Sequence, residues 1–415
     1  GVVDESKKIV TKFAKLYPKK IFIIENKKKR GLQACANLAL KKSKGKYFVR
    51  LDPDDYFNES ALLVMSSYLE NNTDISIVYP DYFYVDKKSN ILDVDTRKKI
   101  GTDVNVFDLP AHGACTMIRT SILKKIGGYS RKFTAQDGYD IWYNILDRYN
   151  IFNITTPLFY YRQHTLSLTR QENRILGERQ KIKKHYASKK RLNHKILFII
   201  GAKNKDQKIN NIVLKKINKV PLIDYTLKEI KKFKNKEVTI VNSDDVQVIK
   251  YLKRKYKNQL ILRERPNFLN ETYVTIEDII NDSLIEAEKK KLKYDIVVYL
   301  NVNSPLKSYE NICEGIDTLV LHNFEKVISV YEDLDLHFTH GQNGLEPISR
   351  RRHSELRIER EALYVDNRAF SVFWRKKVKN ASRNEKVGHV VMRRDMSINI
   401  REELDLLLAG KLLKE

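Results

Sequence analysis

Apolar positions along this chain fall into short runs separated by stretches of helical spacing, and the alternation occurs twice. SKKIVTKFAKLY carries its apolar residues at helical spacing and is followed by the strand-like KIFIIEN. The helical GLQACANLALKKSK leads to the strand-like KYFVRLD, an acidic turn, and the helical ESALLVMSSYLENN. ISIVYPDYFYV reads as a strand ending at the polar turn Lys87 to Asn90, and CTMIR, TSILKKIGGY and GYDIWYNILDRY follow later. Strands separated by helices of this length predict an α/β fold with a largely parallel sheet. In such sheets the ligand lies beyond the carboxyl ends of the strands, which is where the acidic turn DPDD stands.

A basic, weakly patterned helix near 170–187 and the polar ASKKRLNH predict a boundary. The expected division is a domain over 1–170, a helical linker over 171–194 and a domain over 195–415. The second series opens with KILFIIGA as a strand and PLIDYTLKEIKKF as a helix. EVTIVNSDD then runs into the helix VQVIKYLKRKY, and YDIVVYLN is a strand ending at the turn NSPLKS. KVISVYED and EALYVDNRAFSVFW read as strands and EELDLLLAGKLL as a closing helix. The halves share an architecture class but no motifs, which indicates a fusion rather than a duplication. A length of 415 residues suits two cores of ordinary size.

Composition narrows the setting. No apolar stretch approaches the roughly 18 to 20 residues of a membrane span, and no secretory signal is visible, so a soluble, cytoplasmic chain is expected. Cys35, Cys115 and Cys313 form no CxxC pair and suggest neither a disulfide framework nor a zinc site. The formal charge of +26 is mostly lysine scattered over polar helix faces, so a lysine-biased composition is its first reading. Attraction to an anionic membrane surface is the second. Nucleic acid is not an expected partner, because no recognition motif accompanies the charge.

Within DPDD, Pro53 biases Asp52 toward an extended conformation, so Asp52 and Asp54 could converge on one hard divalent cation. An acidic turn ahead of a helix, with Asp55 as cap, is the competing reading. The surroundings bear on the choice. GLQACANLALKKSKGKYFVRLDPDDYF, then GACTMIRTSILKKIGGYSRKFTAQDGYDIWYNI and PLFYYRQH, together resemble the family 2 glycosyltransferases of the GT-A fold. The resemblance covers residue 1 to about 170.

It implies an inverting transferase that uses a nucleotide-sugar donor and a glycan or lipid-linked acceptor, with Mn²⁺ or Mg²⁺ as cofactor. Asp52, Asp54 and His164 then correspond to metal or diphosphate positions. Asp137 corresponds to the general base, with Asp140 as its competitor and a helix N-cap as the alternative for either. Asp55, His112, Gly113 and Ala114 fall on the donor and acceptor side. The family opens with strands that are not found ahead of GVVDESKKIV, so an N-terminally truncated domain is expected.

Residues 195 to 415 resemble the acylneuraminate cytidylyltransferases through KILFIIGAK, KVPLIDYTLKEI, VTIVNSDD, RPNFLNETYVTIEDII, YDIVVYLNVNSPLKS and MSINIREELDLLLA. The two resemblances together imply two Rossmann-like nucleotide-binding domains with mixed, mostly parallel sheets. By the second, Lys203, Lys205, Lys208, Ser243, Asp244, Asn301, Ser304 and Arg360 stand at nucleotide-binding positions, CTP or a CMP-sugar is the implied ligand, and a homodimer is usual.

The chemistry of that family is eroded here. Its paired phosphate-loop glycines are replaced by the run Gly201 to Lys208, and its two metal aspartates by Asn399 and Arg401. Arg360 and Glu361 stand where it has asparagine and glycine, and Arg350 to His353 form a basic run. The expected protein is a surface-glycan glycosyltransferase with a degenerate second domain. One alternative is a bifunctional enzyme that also activates a nonulosonic acid with CTP, and another is a non-catalytic scaffold.

Overall fold

A computed structural model of the chain describes residues 5–96, 113–145, 148–163, 172–191, 194–204, 208–233, 237–271, 273–322, 324–342, 344–348, 363–378 and 386–413. Two compact units divide the chain, Gly1–Arg179 and Gln180–Glu415.

The first unit holds α1 (Ser6–Leu16), α2 (Leu32–Lys42), β1 (Tyr47–Val49), β2 (Tyr56–Phe57), α3 (Ala61–Asn71), β3 (Ile75–Val85), β4 (Ile91–Asp95), β5 (Met117–Arg119), α4 (Thr120–Lys125), α5 (Asp137–Ile145) and β6 (Asn150–Arg162). Its sheet has the order β1-β5-β3-β6-β2, with β4 also on β3. Only the β3–β6 pairing is parallel among the described strands of this unit.

Strand alternation decides what each face covers. Ile77 pairs with Ile118 and Val78 with Met117, so neighbouring residues point to opposite faces. Val78 and Met117 pack with Met65 and Leu69 of α3. Ile77 and Ile118 pack with Ala36 and Leu40 of α2, Leu123 of α4, and Ile141 and Ile145 of α5.

One expected strand does not form. KIFIIEN, residues 20–26, makes no ladder in the structure, and Phe22 is 79% exposed. An apolar run becomes a strand only where a partner takes up its backbone N–H and C=O groups, and no described strand pairs with it. The neighbouring α1 likewise contains no buried residue.

Helix α6 (Glu172–Arg191) lies where the linker is expected, and the boundary between units falls inside it. In its second half Ile182, Lys183 and Ala187 are buried, and the Lys183 ammonium meets Glu314 at 3.2 Å.

The second unit continues with β7 (Ile196–Ala202), β8 (Lys216–Ile217), β9 (Val220–Pro221), α7 (Leu222–Ile230), β10 (Val238–Ser243), α8 (Val246–Tyr256), β11 (Ile261–Glu264), α9 (Ile276–Lys289), β12 (Ile296–Asn301), α10 (Tyr309–His322), β13 (Lys326–Asp333), β14 (Phe338–Gly341), β15 (Gly344–Pro347), β16 (Leu363–Trp374), β17 (Val387–Val391) and α11 (Glu403–Leu412). Seven strands form the order β11-β10-β7-β12-β16-β13-β17. The first four are mutually parallel, β16 runs against both its neighbours, and β17 is parallel to β13.

Every residue of β7 is buried, which explains its unbroken apolar sequence: a parallel strand covered on both faces has no polar side to show. The chain passes from β7 to β10 on one side and later to β12 on the other. That reversal opens a crevice at the carboxyl ends of β7 and β12. Among the described residues, no helix is long and apolar enough to cross a membrane.

Candidate active site

The acidic turn leaves the carboxyl end of β1, and the bond from the Cys115 N–H to the Arg50 carbonyl, 2.8 Å, fixes its start. Arg50 is the centre of the site. Its Nε lies 3.0 Å from Asp52 Oδ1 and its Nη2 3.4 Å from Asp52 Oδ2, while Nη1 donates to Asp137 Oδ2. The guanidinium is 11% exposed, so the pairing takes place largely away from water. It ties the acidic turn to the first residue of α5, 87 positions along the chain from Arg50.

Burial alone would disfavour the Arg50 charge, but the Asp137 and Asp52 carboxylates outweigh it and hold its pKa above the ordinary value. Asp52 is pushed upward, first by burial and then by the neighbouring acids, with Arg50 opposing. Gly113 packs directly against the fork. A Cβ there would stand 2.9 Å from Arg50 Nη2 and 3.1 Å from Asp137 Oδ2, so a side chain at this position would press on the fork and force it to shift.

Asp55 does not cap α3, which begins only at Ala61. It is buried, and its Oδ1 accepts from the Arg162 N–H at 2.9 Å. Burial pushes its pKa up to about 7. The Arg162 side chain clamps the same turn, donating to the Asp54 carbonyl at 2.8 Å, to the carbonyls of Asp86 and Lys87, and to Ser89. The competing base candidate, Asp140, is enclosed within α5 at 3% exposure. Ala114 is core, and His112 and His164 lie outside the described residues.

The donor set bears on a metal. Among the described residues no three His, Cys, Asp or Glu side chains converge, so this turn is not a self-sufficient cation cage. It does offer hard oxygens, and Asp52 Oδ1 is buried with no hydrogen-bond donor while facing the guanidinium. One or two carboxylates completed by substrate phosphates are what Mg²⁺ and similar ions use. The residues fit an ion that arrives with a diphosphate.

In the second unit a cavity of about 230 Å³ opens at the switch point, lined among others by Gly201, Lys203, Arg265, Thr275, Tyr299, Asn301 and Asn303. Of the expected nucleotide-binding residues, Lys203 and Asn301 reach it. Lys203 donates to the Asn270 carbonyl at 2.6 Å. Ser243 and Asp244 instead pin loops: Ser243 donates to the Ala202 carbonyl at 2.9 Å, and Asp244 accepts from the Asn204 N–H at 2.7 Å. Both are buried, as is Ser304. Lys208 is exposed, and Lys205, Arg350 to His353, Arg360 and Glu361 lie outside the described residues.

Two residues of this unit were not among the expected site residues. Arg265 lines the cavity from a buried position, held by Asn242 Oδ1 at 2.8 Å, and burial lowers its pKa. Lys307 is fully enclosed and donates to Thr226 Oγ1 at 2.8 Å, to the Asn301 carbonyl at 2.6 Å and to the Ser304 carbonyl at 2.7 Å. Asn399 and Arg401 sit beside this region. The Ile400 N–H bonds the Asn303 carbonyl at 2.8 Å, Asn399 reaches the Asn367 carbonyl at 3.5 Å, and Arg401 is exposed.

Several known proteins are similar to parts of this chain. An uncharacterized glycosyltransferase of Methanocaldococcus jannaschii is 28% identical over 187 residues, 43% of this chain and 64% of its own length. An uncharacterized glycosyltransferase of Rickettsia typhi is 30% identical over 129 residues, 29% of this chain and 40% of its own. A teichoic acid poly(glycerol phosphate) polymerase of Staphylococcus epidermidis is 31% identical over 131 residues, 30% of this chain and 18% of its own. The chain thus spans less than two thirds of the length of these relatives.

Among solved structures, a CMP:2-keto-3-deoxy-manno-octonic acid synthetase complexed with CTP aligns with a TM-score of 0.40 and 12% identity, covering 53% of this chain and 98% of that one. Residues 1–127 match the family model described as Glycosyl transferase family 2. The first unit of this chain therefore carries a Glycosyl transferase family 2 region.

Proposed function

We propose that the first unit is an inverting glycosyltransferase that moves a sugar from a nucleotide-sugar donor to a glycan or lipid-linked acceptor. The observation that carries this reading is the Arg50 fork, which gathers Asp52 of the acidic turn and Asp137 of α5 into one buried site. Asp52 and Asp54 would hold a divalent ion together with the donor diphosphate, and that ion would supply positive charge to the departing nucleoside diphosphate. Asp137 takes the proton of the acceptor hydroxyl as the new glycosidic bond forms. Gly113 leaves room for the acceptor side to approach.

The second unit keeps a cavity with basic and amide side chains but has Asn399 and Arg401 where a cytidylyltransferase would present metal-binding acids. We read it as a ligand-binding or positioning domain without turnover. The test is a screen of nucleotide sugars with Mn²⁺, following release of the nucleoside diphosphate, alongside CTP-dependent pyrophosphate release with nonulosonic acids. Hydrolysis of one donor that disappears in Asp54→Ala is expected. Hydrolysis unchanged by that substitution would reduce DPDD to a turn, and clear pyrophosphate release would make the second unit an enzyme.

A further inference from the structure

We propose that Arg50 is a positioning residue that serves as the internal counter-ion of the acid pair, so that a divalent cation binds at the acidic turn only together with a diphosphate. This rests on the metal-assisted reading above. Two carboxylates approach each other in a site that is largely closed to water, and like charges so placed repel unless a cation lies between them. The structure puts the guanidinium there, with separate nitrogens committed to each acid.

The fork is built in rather than adventitious. The Arg50 carbonyl is tied by Cys115, the space above its Nη2 is kept open by Gly113, and its side chain is as buried as that of Asp137. Asp52 thus already has its countercharge. A bare divalent ion must share Asp52 with a cation 3.0 Å away, and it gains too little from the turn to displace it. A diphosphate brings the missing negative charge along with further oxygen ligands, and the ion then binds as part of the donor.

The same fork keeps Asp137 aimed while the site is empty, so that base and metal-binding acid are set by one residue. Lysine could supply the charge but not the two-armed geometry. Removing the charge should therefore expose a latent metal site, an outcome that a merely structural arginine would not produce.

The experiment titrates the full chain with Mn²⁺ alone and with Mn²⁺ plus UDP, GDP or CDP, reading free Mn²⁺ by electron paramagnetic resonance. Arg50→Gln, and Arg50→Met as a second uncharged variant, are expected to bind Mn²⁺ alone at least tenfold more tightly than the unmodified protein. Arg50→Lys is expected to stay at the unmodified level, and Asp54→Ala to abolish the gain in the Arg50→Gln background. Uncharged variants that keep native circular dichroism yet bind Mn²⁺ no more tightly would overturn the proposal, while nucleotide-supported binding that still requires Asp54 would leave the metal reading standing. Mn²⁺ binding indifferent to Asp54→Ala in every background would sink both.

Discussion

Lys307 offers a quantitative test of how the second unit is held together. Its ammonium is fully enclosed, and burial lowers its pKa to about 7, with Glu229 pulling the other way. In the unfolded chain the same group titrates near 10.5. Between these values the unfolded state binds more protons than the folded one, so the contribution of this group to stability must rise with pH. Applying linkage to the two values, the gain between pH 7 and pH 9 is about 2 kcal/mol, and little changes below pH 6.

Lys307→Met removes that proton. It also strands the carbonyls of Asn301 and Ser304, at a cost of roughly 1 to 3 kcal/mol each, but that cost does not depend on pH. The assay is urea unfolding of the full chain in a Trp142→Phe background. The chain has two tryptophans, and Trp374 on β16 then reports the second unit alone. Measured against the Lys307→Met variant at each pH, the protein that keeps Lys307 should gain about 2 kcal/mol in relative stability from pH 7 to 9. A difference that stays flat over that range would refute the reasoning and mean that the three oxygens hold Lys307 charged throughout.

Two further expectations concern single contacts. Gly113→Ala pushes a methyl group against Arg50 Nη2 and Asp137 Oδ2, so donor turnover should fall by about tenfold or more while the melting temperature moves little, because a small displacement at the reacting groups costs more than the local strain. Asp224 accepts from Tyr251 at 2.6 Å, Tyr256 at 2.7 Å and Lys255 at 2.6 Å while itself 6% exposed, so Asp224→Ala, which strands the buried Tyr256 hydroxyl, should destabilise the second unit by roughly 1 to 3 kcal/mol, read from the same Trp374 transition.

Much of the fold was legible because its elements are local. ISIVYPDYFYV, KILFIIGA and YDIVVYLN announce strands through short stretches rich in apolar and β-branched residues, and each forms a strand in the structure. KIFIIEN carries the same signal and is not one, since strand formation depends on a neighbour that the run itself cannot specify. The turn at Lys87 to Asn90 was readable from its polar residues, whereas the hairpin it closes with β4 and the antiparallel pairings of β5 and β2 in the first sheet were not.

The candidate site divides in the same way. By itself the sequence determined that acids crowd a turn after β1, that Asp137 opens a helix, and that glycine and aspartate are missing where the second unit resembles a metal-dependent family. Only the tertiary structure decided that Arg50 joins two of those acids, that Arg162 rather than a helix end occupies Asp55, that Arg265 lines the second crevice, and that Lys307 is buried against the carbonyls of Asn301 and Ser304. The physical reason is one of range. Backbone propensity and apolar periodicity act over a few residues, but a buried charge is stable only beside its counter-charge or its hydrogen-bond acceptors, and folding alone brings Arg50 and Asp137 together.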